Sequence, residues 1–503
     1  LFFTADDGGS GNELWKLDTT TGTATRVKDI CPGPCSSSPI WLTALGNLVL
    51  FQAEDGAHGY ELWRSDGTEA GTFLLRDVNP GFASAYGGPW IDAVGGKVLF
   101  SGRDPVFGVE LWSTDGTRAG TQLVAQVSPG IYGEIDPVAS SGTRLLFVAD
   151  DGVHGQEPWI SDGTAAGTYQ IRDLNPGAAS SAPFNPRGRL YASALPDGNF
   201  VFAADDGTHG LELWRTDGTD AGTVLVQDIY TGATGSNLEG FVPLGGKVYF
   251  TASTSATWGL WSTDGTSAGT AQVLGLAAGQ PVFTQPPMTR AGNRLYFASG
   301  LFGTLLSSDG TAAGTQSLNV DYALAVSGLG NSAMFLAGGI SGQLALWKTD
   351  GTQAGTVQVQ ALGSTSCANY NFPPSAEVNG EVYFHQCLSP FMGGPLWKTD
   401  GTQAGTVEVQ APVRASSFRP MYSLTLNDFL SPLGGGLFFS ADDGVSGLQV
   451  WHTDGSAAGT QPATIPVSAF SFARPTPLGS SLIYLEGGAW RMDADGSVTD
   501  LGV

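Results

Sequence analysis

The sequence predicts an all-β fold, because one strand-and-turn unit is repeated along the whole chain of 503 residues. An Asp-Gly-Thr or Asp-Gly-Ser core recurs at steps of 41 to 55 residues, and no stretch has the apolar period of an amphipathic helix. The cores begin at Asp66, Asp115, Asp162, Asp217, Asp264, Asp309, Asp350, Asp400 and Asp454. Degenerate copies at 13–23 and 489–497 bring the number of units to about eleven.

Each unit reads as four short strands. In residues 41–78 the strands are WLTAL, LVLFQA, ELWRS and TFLLRDV. Second strands such as KVLF, RLLF and KVYF are apolar at adjacent positions, so both faces of each sheet should be covered. Units of this length that bury both faces against their neighbours predict the blades of a β-propeller, since solenoid coils are shorter and sandwich domains roughly twice as long.

The tryptophan of the ELW segment should lie between successive blades, because neighbouring residues of a strand point to opposite faces. An aromatic ligand cage is the alternative for these side chains. The positions are Trp15, Trp63, Trp112, Trp159, Trp214, Trp261, Trp347, Trp397 and Trp451.

We expect a single domain over 1–503 that closes into one large ring. Eleven four-stranded units less one strand give 43, because the first unit begins at its second strand, LFFTA, and we expect the absent strand upstream of Leu1. Two smaller propellers in tandem, dividing near 235–285, are the alternative, since common propellers have four to eight blades. No step of the repeat contains an extra linker, which favours the single ring.

Composition excludes several classes of function. The formal net charge is −24, and a field of that sign repels nucleic acid. No apolar run is long enough for a membrane helix, so no transmembrane segment is expected. An acidic surface suits solubility, divalent cations and cationic partners.

Four cysteines form two local pairs, Cys31 with Cys35 and Cys367 with Cys387. An even count favours two disulfides and therefore an oxidising compartment. A single zinc site is the alternative, but it would need all four thiolates to converge from opposite ends of the sequence.

The repeat itself resembles a known family. Residues 61–72 (ELWRSDGTEAGT), 110–121 and 212–223 share one pattern, and 157–168 departs from it only at Pro158. In these residues the chain is similar to the ELWxxDGT-repeat proteins, exported proteins of bacteria that are abundant in myxobacteria and their relatives. The resemblance implies export to the cell surface or medium and a propeller-like repeat, and it implies no catalytic residues.

The Asp-Gly-Thr core has a structural interpretation. The aspartate can accept hydrogen bonds from amides two or three residues on, the glycine can take a positive φ, and the two threonine hydroxyls can fix the loop. Nine copies favour a structural turn, because a catalytic carboxylate is needed only once or twice.

Acidic loops between the second and third strands are candidate calcium sites, because carboxylates cluster there around glycine-rich bends. The alternative needs no ion: the aspartates cap loop amides, and the glutamates pair with His58, His154 or His209. The candidate ligands are Asp6, Asp7, Glu13, Glu54, Asp55, Glu61, Asp150, Asp151, Glu157, Asp205, Asp206 and Glu212. The middle blades carry Phe302, Phe391 and Met392 in these loops, a less polar sector that could contact a partner.

Catalytic motifs are absent from the sequence, which has no GxSxG, HExxH or phosphate-binding loop. The sequence therefore predicts a non-catalytic extracellular or cell-surface module that binds a glycan, matrix or surface protein. A glycan-active hydrolase or lyase is the alternative, since its two carboxylates could come from any two blades.

Overall fold

The fold of this chain consists of β-strands joined by turns. The computed structural model describes residues 2–6, 8–18, 23–81, 91–106, 108–127, 135–181, 191–277, 288–299, 303–329, 332–338, 343–364, 375–385, 395–409, 430–442, 448–466, 476–478, 481–485, 489–493 and 496–500. These residues contain 43 strands and no helix. The strands form eleven antiparallel sheets, which we number 1 to 11 in chain order. The all-β prediction is confirmed, and the repeated four-stranded sheet is consistent with a propeller-like fold.

Sheet 1 has three strands in the described residues, and the other ten sheets have four consecutive strands each. Sheets 1 to 4 comprise β1 (Phe2–Asp6), β2 (Asn12–Asp18), β3 (Thr23–Lys28); β4 (Ile40–Leu45), β5 (Leu48–Glu54), β6 (Tyr60–Ser65), β7 (Phe73–Arg76); β8 (Ile91–Val94), β9 (Lys97–Asp104), β10 (Gly108–Thr114), β11 (Gln122–Ala125); and β12 (Ile135–Ser140), β13 (Leu145–Asp150), β14 (Gln156–Ser161), β15 (Tyr169–Gln170). Sheets 5 to 7 comprise β16 (Ala192–Ala194), β17 (Phe200–Asp205), β18 (Leu211–Thr216), β19 (Val224–Gln227); β20 (Glu239–Leu244), β21 (Lys247–Ser253), β22 (Thr257–Thr263), β23 (Ala271–Ala277); and β24 (Thr289–Ala291), β25 (Arg294–Ser299), β26 (Thr304–Ser308), β27 (Gln316–Ser317).

The last four sheets continue the same order of strands. They comprise β28 (Ala323–Leu329), β29 (Ser332–Gly338), β30 (Gln343–Thr349), β31 (Val357–Ser364); β32 (Ser375–Val378), β33 (Glu381–His385), β34 (Leu396–Thr399), β35 (Val407–Glu408); β36 (Leu430–Leu433), β37 (Gly436–Asp442), β38 (Leu448–Thr453), β39 (Gln461–Pro466); and β40 (Thr476–Leu478), β41 (Ser481–Leu485), β42 (Ala489–Asp493), β43 (Val498–Asp500).

Apolar side chains pack between consecutive sheets. Leu14 of sheet 1 lies in one buried cluster with Trp63 of sheet 2, and Leu62 of sheet 2 lies in the next cluster with Trp112 of sheet 3. Leucine and tryptophan of one ELW segment therefore face opposite neighbours, as their alternation predicts. Such clusters join every consecutive pair from sheets 1 and 2 to sheets 9 and 10.

The sheets also contact one another through their first strands. In the middle of the chain β12, β16, β20, β24 and β28 contact each other in that order. Around 235–285, where the tandem alternative divides the chain, sheets 5 and 6 share a buried cluster, and so do sheets 6 and 7. At the ends, β1 contacts both β4 of sheet 2 and β41 of sheet 11.

Within the described ranges there is no helix with the length and apolarity needed to cross a membrane.

Truncating a side chain between two sheets tests this packing. Phe147 is fully buried in the cluster that joins sheets 3 and 4. We expect Phe147→Ala to lower the free energy of unfolding by about 3–5 kcal/mol, because it removes apolar burial and leaves a cavity. Urea unfolding followed by tryptophan fluorescence measures the change. The control is Val153→Ala in an exposed loop, which should change stability by less than about 0.5 kcal/mol.

Candidate functional site: the repeated turns and the acidic loops

The Asp-Gly-Thr core forms a closed turn between the third and fourth strands. In sheet 3, Asp115 Oδ1 accepts hydrogen bonds from the amide (2.8 Å) and the hydroxyl (2.7 Å) of Thr117. Thr117 Oγ1 accepts the amide of Gly120 at 2.9 Å, and its carbonyl accepts the hydroxyl of Thr121 at 2.7 Å. Gly116 has a φ of 83°, a left-handed conformation that glycine adopts without strain. Four polar groups of the motif are thus satisfied inside the turn.

The same bonds from Thr or Ser to the leading aspartate are present in all nine cores. The Thr117 hydroxyl and then its amide lower the pKa of Asp115, because both bonds favour the carboxylate. A Cβ at Gly120 would overlap the Asp115 carboxylate, so the second glycine of DGTxAGT leaves room for that side chain. These carboxylates hold their own turns.

Each turn is also held by the preceding sheet. A side chain from one sheet donates a hydrogen bond to the carbonyl of the turn glycine in the next. The pairs are Lys16 Nζ with Gly67 (2.6 Å), Arg64 Nη1 with Gly116 (3.0 Å), Lys97 Nζ with Gly163 (3.0 Å), Tyr249 Oη with Gly310 (3.2 Å) and Arg294 Nη2 with Gly351 (3.1 Å). We call this contact the clasp. It links neighbouring sheets at the face where the turns lie.

The glutamate of ELW is turned inward, away from the acidic loop that precedes it. Glu13 is fully buried, and its carboxylate accepts the amides of Ile30 (2.8 Å), Cys31 (3.1 Å) and Ser37 (3.2 Å) and the Ser37 hydroxyl (2.6 Å). These donors belong to the connector that leads from sheet 1 to sheet 2. Glu13 therefore fastens the connector to the third strand.

Sheets 2, 4 and 5 repeat this arrangement. Glu61, Glu157 and Glu212 are fully buried, and each accepts two connector amides. Burial raises the pKa of Glu61 and of Glu157 to about 7, against the lowering effect of their hydrogen bonds. These carboxylates, which the sequence nominates as calcium ligands, are fully occupied with backbone and serine donors of the connector.

Sequence reasoning did not find this role, although a signal for it exists. Serine stands 24 residues after the glutamate at Ser37, Ser181 and Ser236, and each of these hydroxyls donates to its glutamate. The equal spacing of Glu and Ser across repeats was the available clue.

Sheets without the glutamate leave the fourth strand differently. Where Glu is present, pairing of the third and fourth strands extends no further than the neighbouring leucine, as in Leu62 with Arg76. In sheets 6 and 8 it continues past that point, through Gly259 with Gly275 and through Ala345 with Ala361. A Cβ at Gly259 would overlap the carbonyl of Leu274, so a glutamate could not stand there.

Histidines of the acidic loops pair with aspartates. His58 Nδ1 lies 2.7 Å from Asp55 Oδ2, and the same pair recurs as His154 with Asp151 (2.6 Å) and His209 with Asp206 (2.7 Å). The Glu–His pairing of the ion-free alternative is therefore wrong, because the glutamates point into the connectors. The hydrogen bond to aspartate raises the pKa of each histidine.

The other candidate ligands lie at the ends of the second strands. Asp6, Asp150 and Asp205 each accept the amide two residues on, all at 2.8 Å. Among the residues that the structure describes, no three His, Cys, Asp or Glu side chains are grouped as a metal site would require. Asp7 lies outside the described residues, and Glu54 ends β5 with its side chain half-buried.

The remaining sequence candidates divide between described and undescribed residues. Cys31 and Cys35 form a disulfide, as predicted. The predicted pair Cys367 and Cys387 lies outside the described residues, and so do Phe302, Phe391 and Met392 of the less polar sector.

Comparisons with known proteins find solved structures only. No family model matches the chain, and no curated protein matches it. A puromycin hydrolase is 13% identical with a TM-score of 0.31, and the match covers 78% of this chain and 57% of that one. A study of two prolyl endopeptidases gives 12% identity over 72% of this chain and 55% of that one, with a TM-score of 0.33. A GH74 xyloglucanase from Xanthomonas campestris gives 13% identity, 92% and 70% coverage and a TM-score of 0.27. This chain thus spans little more than half the length of the first two proteins.

Adding one methyl group to the turn tests its geometry. Gly120→Ala should destabilise the protein by about 1–3 kcal/mol, because its Cβ displaces the Asp115 carboxylate from Thr117. Asp115→Ala removes the obstructing group, so the double variant should be no less stable than Asp115→Ala alone. Thermal unfolding of the four proteins gives the cycle, and additive losses would contradict the turn geometry.

Stability should fall as the pH rises from 5 to 8. Glu61 and Glu157 have folded pKa values near 7, above the ordinary 4.5, so their contribution is lost as the pH rises through that interval. The pKa values of His58 and His209 are raised above 6.5, so their contribution is lost on the same side. The partner aspartates have lowered pKa values and lose their contribution only as the pH falls below about 3.8.

Thermal midpoints at a fixed scan rate between pH 5 and 8 measure this dependence. The control is Glu61→Gln with Glu157→Gln, which removes the two carboxyl titrations and should flatten the curve. A midpoint that rises with pH in the unmodified protein would contradict the assignment.

Proposed function

We propose that this protein is a non-catalytic extracellular or cell-surface binding module of the ELWxxDGT-repeat kind, exported by a bacterium, whose ligand is a glycan or a surface protein. The observation that carries the proposal is the use of the repeated polar groups. The turn aspartates bind their own threonines, and the ELW glutamates bind the connectors, as Asp115 and Glu13 illustrate. Repeated residues that are consumed in this way support a scaffold whose ligand sites lie between the repeats.

The scaffold we propose is one closed ring of eleven blades over 1–503. Two contacts support this arrangement. Buried clusters continue through the region where two propellers would have divided, and β1 of sheet 1 contacts β41 of sheet 11. A strand pairing or cluster that stopped between sheets 5 and 7 would have favoured two rings.

Extracellular location is supported by the disulfide between Cys31 and Cys35, since such bonds persist in oxidising compartments. The bond lies in the connector that Glu13 holds, because the amide of Cys31 donates to that carboxylate. A covalent bond and a buried carboxylate therefore fix the same connector.

A glycan-active hydrolase or lyase is the second candidate, and hydrolases are among the proteins named in the comparisons above. Such an enzyme needs two carboxyl groups about 5–9.5 Å apart that reach the substrate. Glu61 and Glu157 have the raised pKa of a general acid, but both are fully buried against connector amides. Their role in the fold favours the binding module.

A glycan array run with and without calcium tests the proposed function. We expect binding to a restricted set of glycans and no release of shortened products on prolonged incubation. Calcium dependence of that binding would place an ion in the acidic loops, whereas equal binding in a chelator would remove calcium from the proposal. Product release would establish the hydrolase or lyase, and binding to no glycan would leave only protein ligands.

Ring closure can be measured by a distance between spin labels at equivalent sites of the fourth strands. Gln122 and Tyr169 occupy such sites in the consecutive sheets 3 and 4, opposite Ser113 and Ile160. Thr25 and Thr499 occupy them in sheets 1 and 11. In a single ring the two pairs should give similar distances, because both pairs span neighbouring blades.

The labels are introduced through a non-canonical amino acid, which leaves the cysteines unchanged. A distance between Thr25 and Thr499 several times that between Gln122 and Tyr169 would show that the ends of the chain are not neighbours.

A further inference from the structure

A cavity of about 280 Å³ opens where three consecutive sheets meet. Its walls are residues 194–196 of sheet 5, residues 243–248 of sheet 6 and Arg290 of sheet 7. These segments are the ends of first strands and the turns after them. The cavity therefore lies on the face that carries the clasps, between neighbouring blades.

The lining combines apolar side chains with two cations and contains no carboxyl group. Leu195, Pro196 and Leu244 supply apolar surface, and Lys247 and Arg290 supply the charge. In a chain of net charge −24, a cavity with this sign is exceptional. The nature of its lining favours an anionic ligand that has an apolar face.

Arg290 is held in place by the protein. Its Nε donates to the carbonyl of Gly292 at 2.9 Å, and its Nη1 donates to the carbonyl of Pro243 at 3.4 Å. Pro243 is itself part of the cavity wall. The guanidinium is therefore fixed at the rim by contacts on two sheets.

Lys247 differs from its counterpart in sheet 3. The segments GGKVLF at 95–100 and GGKVYF at 245–250 align residue for residue, and Lys97 makes the clasp to Gly163 at 3.0 Å. In sheet 6 the clasp to Gly310 is made by the Tyr249 hydroxyl at 3.2 Å. Leu99, which stands at the position of Tyr249, has no polar group for this contact. Replacing leucine by tyrosine has thus released Lys247 from the clasp.

Released from that contact, Lys247 has no hydrogen-bond acceptor within the described part of the chain, and it lines the cavity. The acidic group that senses it is Asp264, whose pKa it helps to lower. Asp264 is already bound by the amide (2.9 Å) and the hydroxyl (2.7 Å) of Thr266. The ammonium group is consequently available to a ligand.

We propose that this cavity binds a carboxylate on a compact, partly apolar ring, the chemistry of one uronic acid unit in an acidic polysaccharide. Lys247 and Arg290 would bind the carboxylate by charge-assisted hydrogen bonds. Leu195, Pro196 and Leu244 would pack against the apolar face of the ring. The volume is at the lower end for ligand pockets, which suits a single sugar unit, and the open rim allows a polymer to continue on either side. This inference rests on the proposed glycan-binding function and assigns a ligand class to it.

Calorimetric titration of the full chain with trigalacturonate, and with a neutral maltotriose, tests the proposal. The acidic trimer should bind, the neutral one should bind at least roughly tenfold more weakly, and added salt should weaken the acidic trimer's affinity. Lys247→Met and Arg290→Met should each reduce the affinity by roughly tenfold or more.

The matched control is Lys97→Met, which alters the same motif in sheet 3. It should leave the affinity within about twofold and lower the thermal midpoint, because it breaks a clasp. Tyr249→Leu restores the sheet 3 sequence and should return Lys247 to the clasp, so binding should weaken while both cations are present.

Equal affinity for the acidic and neutral trimers, no binding of the acidic trimer, or an affinity unchanged in Lys247→Met and Arg290→Met would overturn the proposal. If the array nevertheless shows glycan binding, the proposed function stands and the ligand site lies elsewhere. Absence of binding to any glycan in both experiments would overturn the glycan function together with this site.

Discussion

Every sheet in this protein depends on its neighbours, because a four-stranded sheet with two apolar faces cannot bury both of them alone. Phe51 and Phe147 are fully buried, yet each lies at the boundary of two sheets and not inside one. The stabilising contact is therefore between repeats. This constraint explains why one short sequence pattern recurs along the chain: each copy must fit the copy before it and the copy after it.

Polar contacts follow the same rule. The clasp joins the side chain of one sheet to the turn of the next, and the buried glutamate joins the third strand to the connector that begins the next sheet. Arg64 and Glu61 are only three residues apart and lie at opposite ends of one strand. A single strand thus fixes its successor at both of its ends, one by a backbone carbonyl and one by backbone amides.

How much the sequence predicts depends on how far the contacts reach. The turn at Asp115 could be predicted because its partners lie within six residues, where the chemistry of Asp, Gly and Thr is decisive. The role of Glu13 could not, because its donors stand 17 to 24 residues away in a connector of varied sequence. Proximity in sequence instead suggested a shared site with Asp6 and Asp55, and the strand ends in fact separate these groups.

Lys247 and Lys97 carry this argument to its limit. Their local sequences are the same apart from one residue, and no propensity or motif separates them. Their different surroundings follow from Tyr249, whose hydroxyl reaches the next sheet and takes the place of the ammonium group. Variation at a position that serves the scaffold can therefore change which neighbouring side chains are free for a ligand. In a protein whose repeated residues are engaged in its own assembly, such exchanges provide a physical route by which equivalent repeats acquire different surfaces.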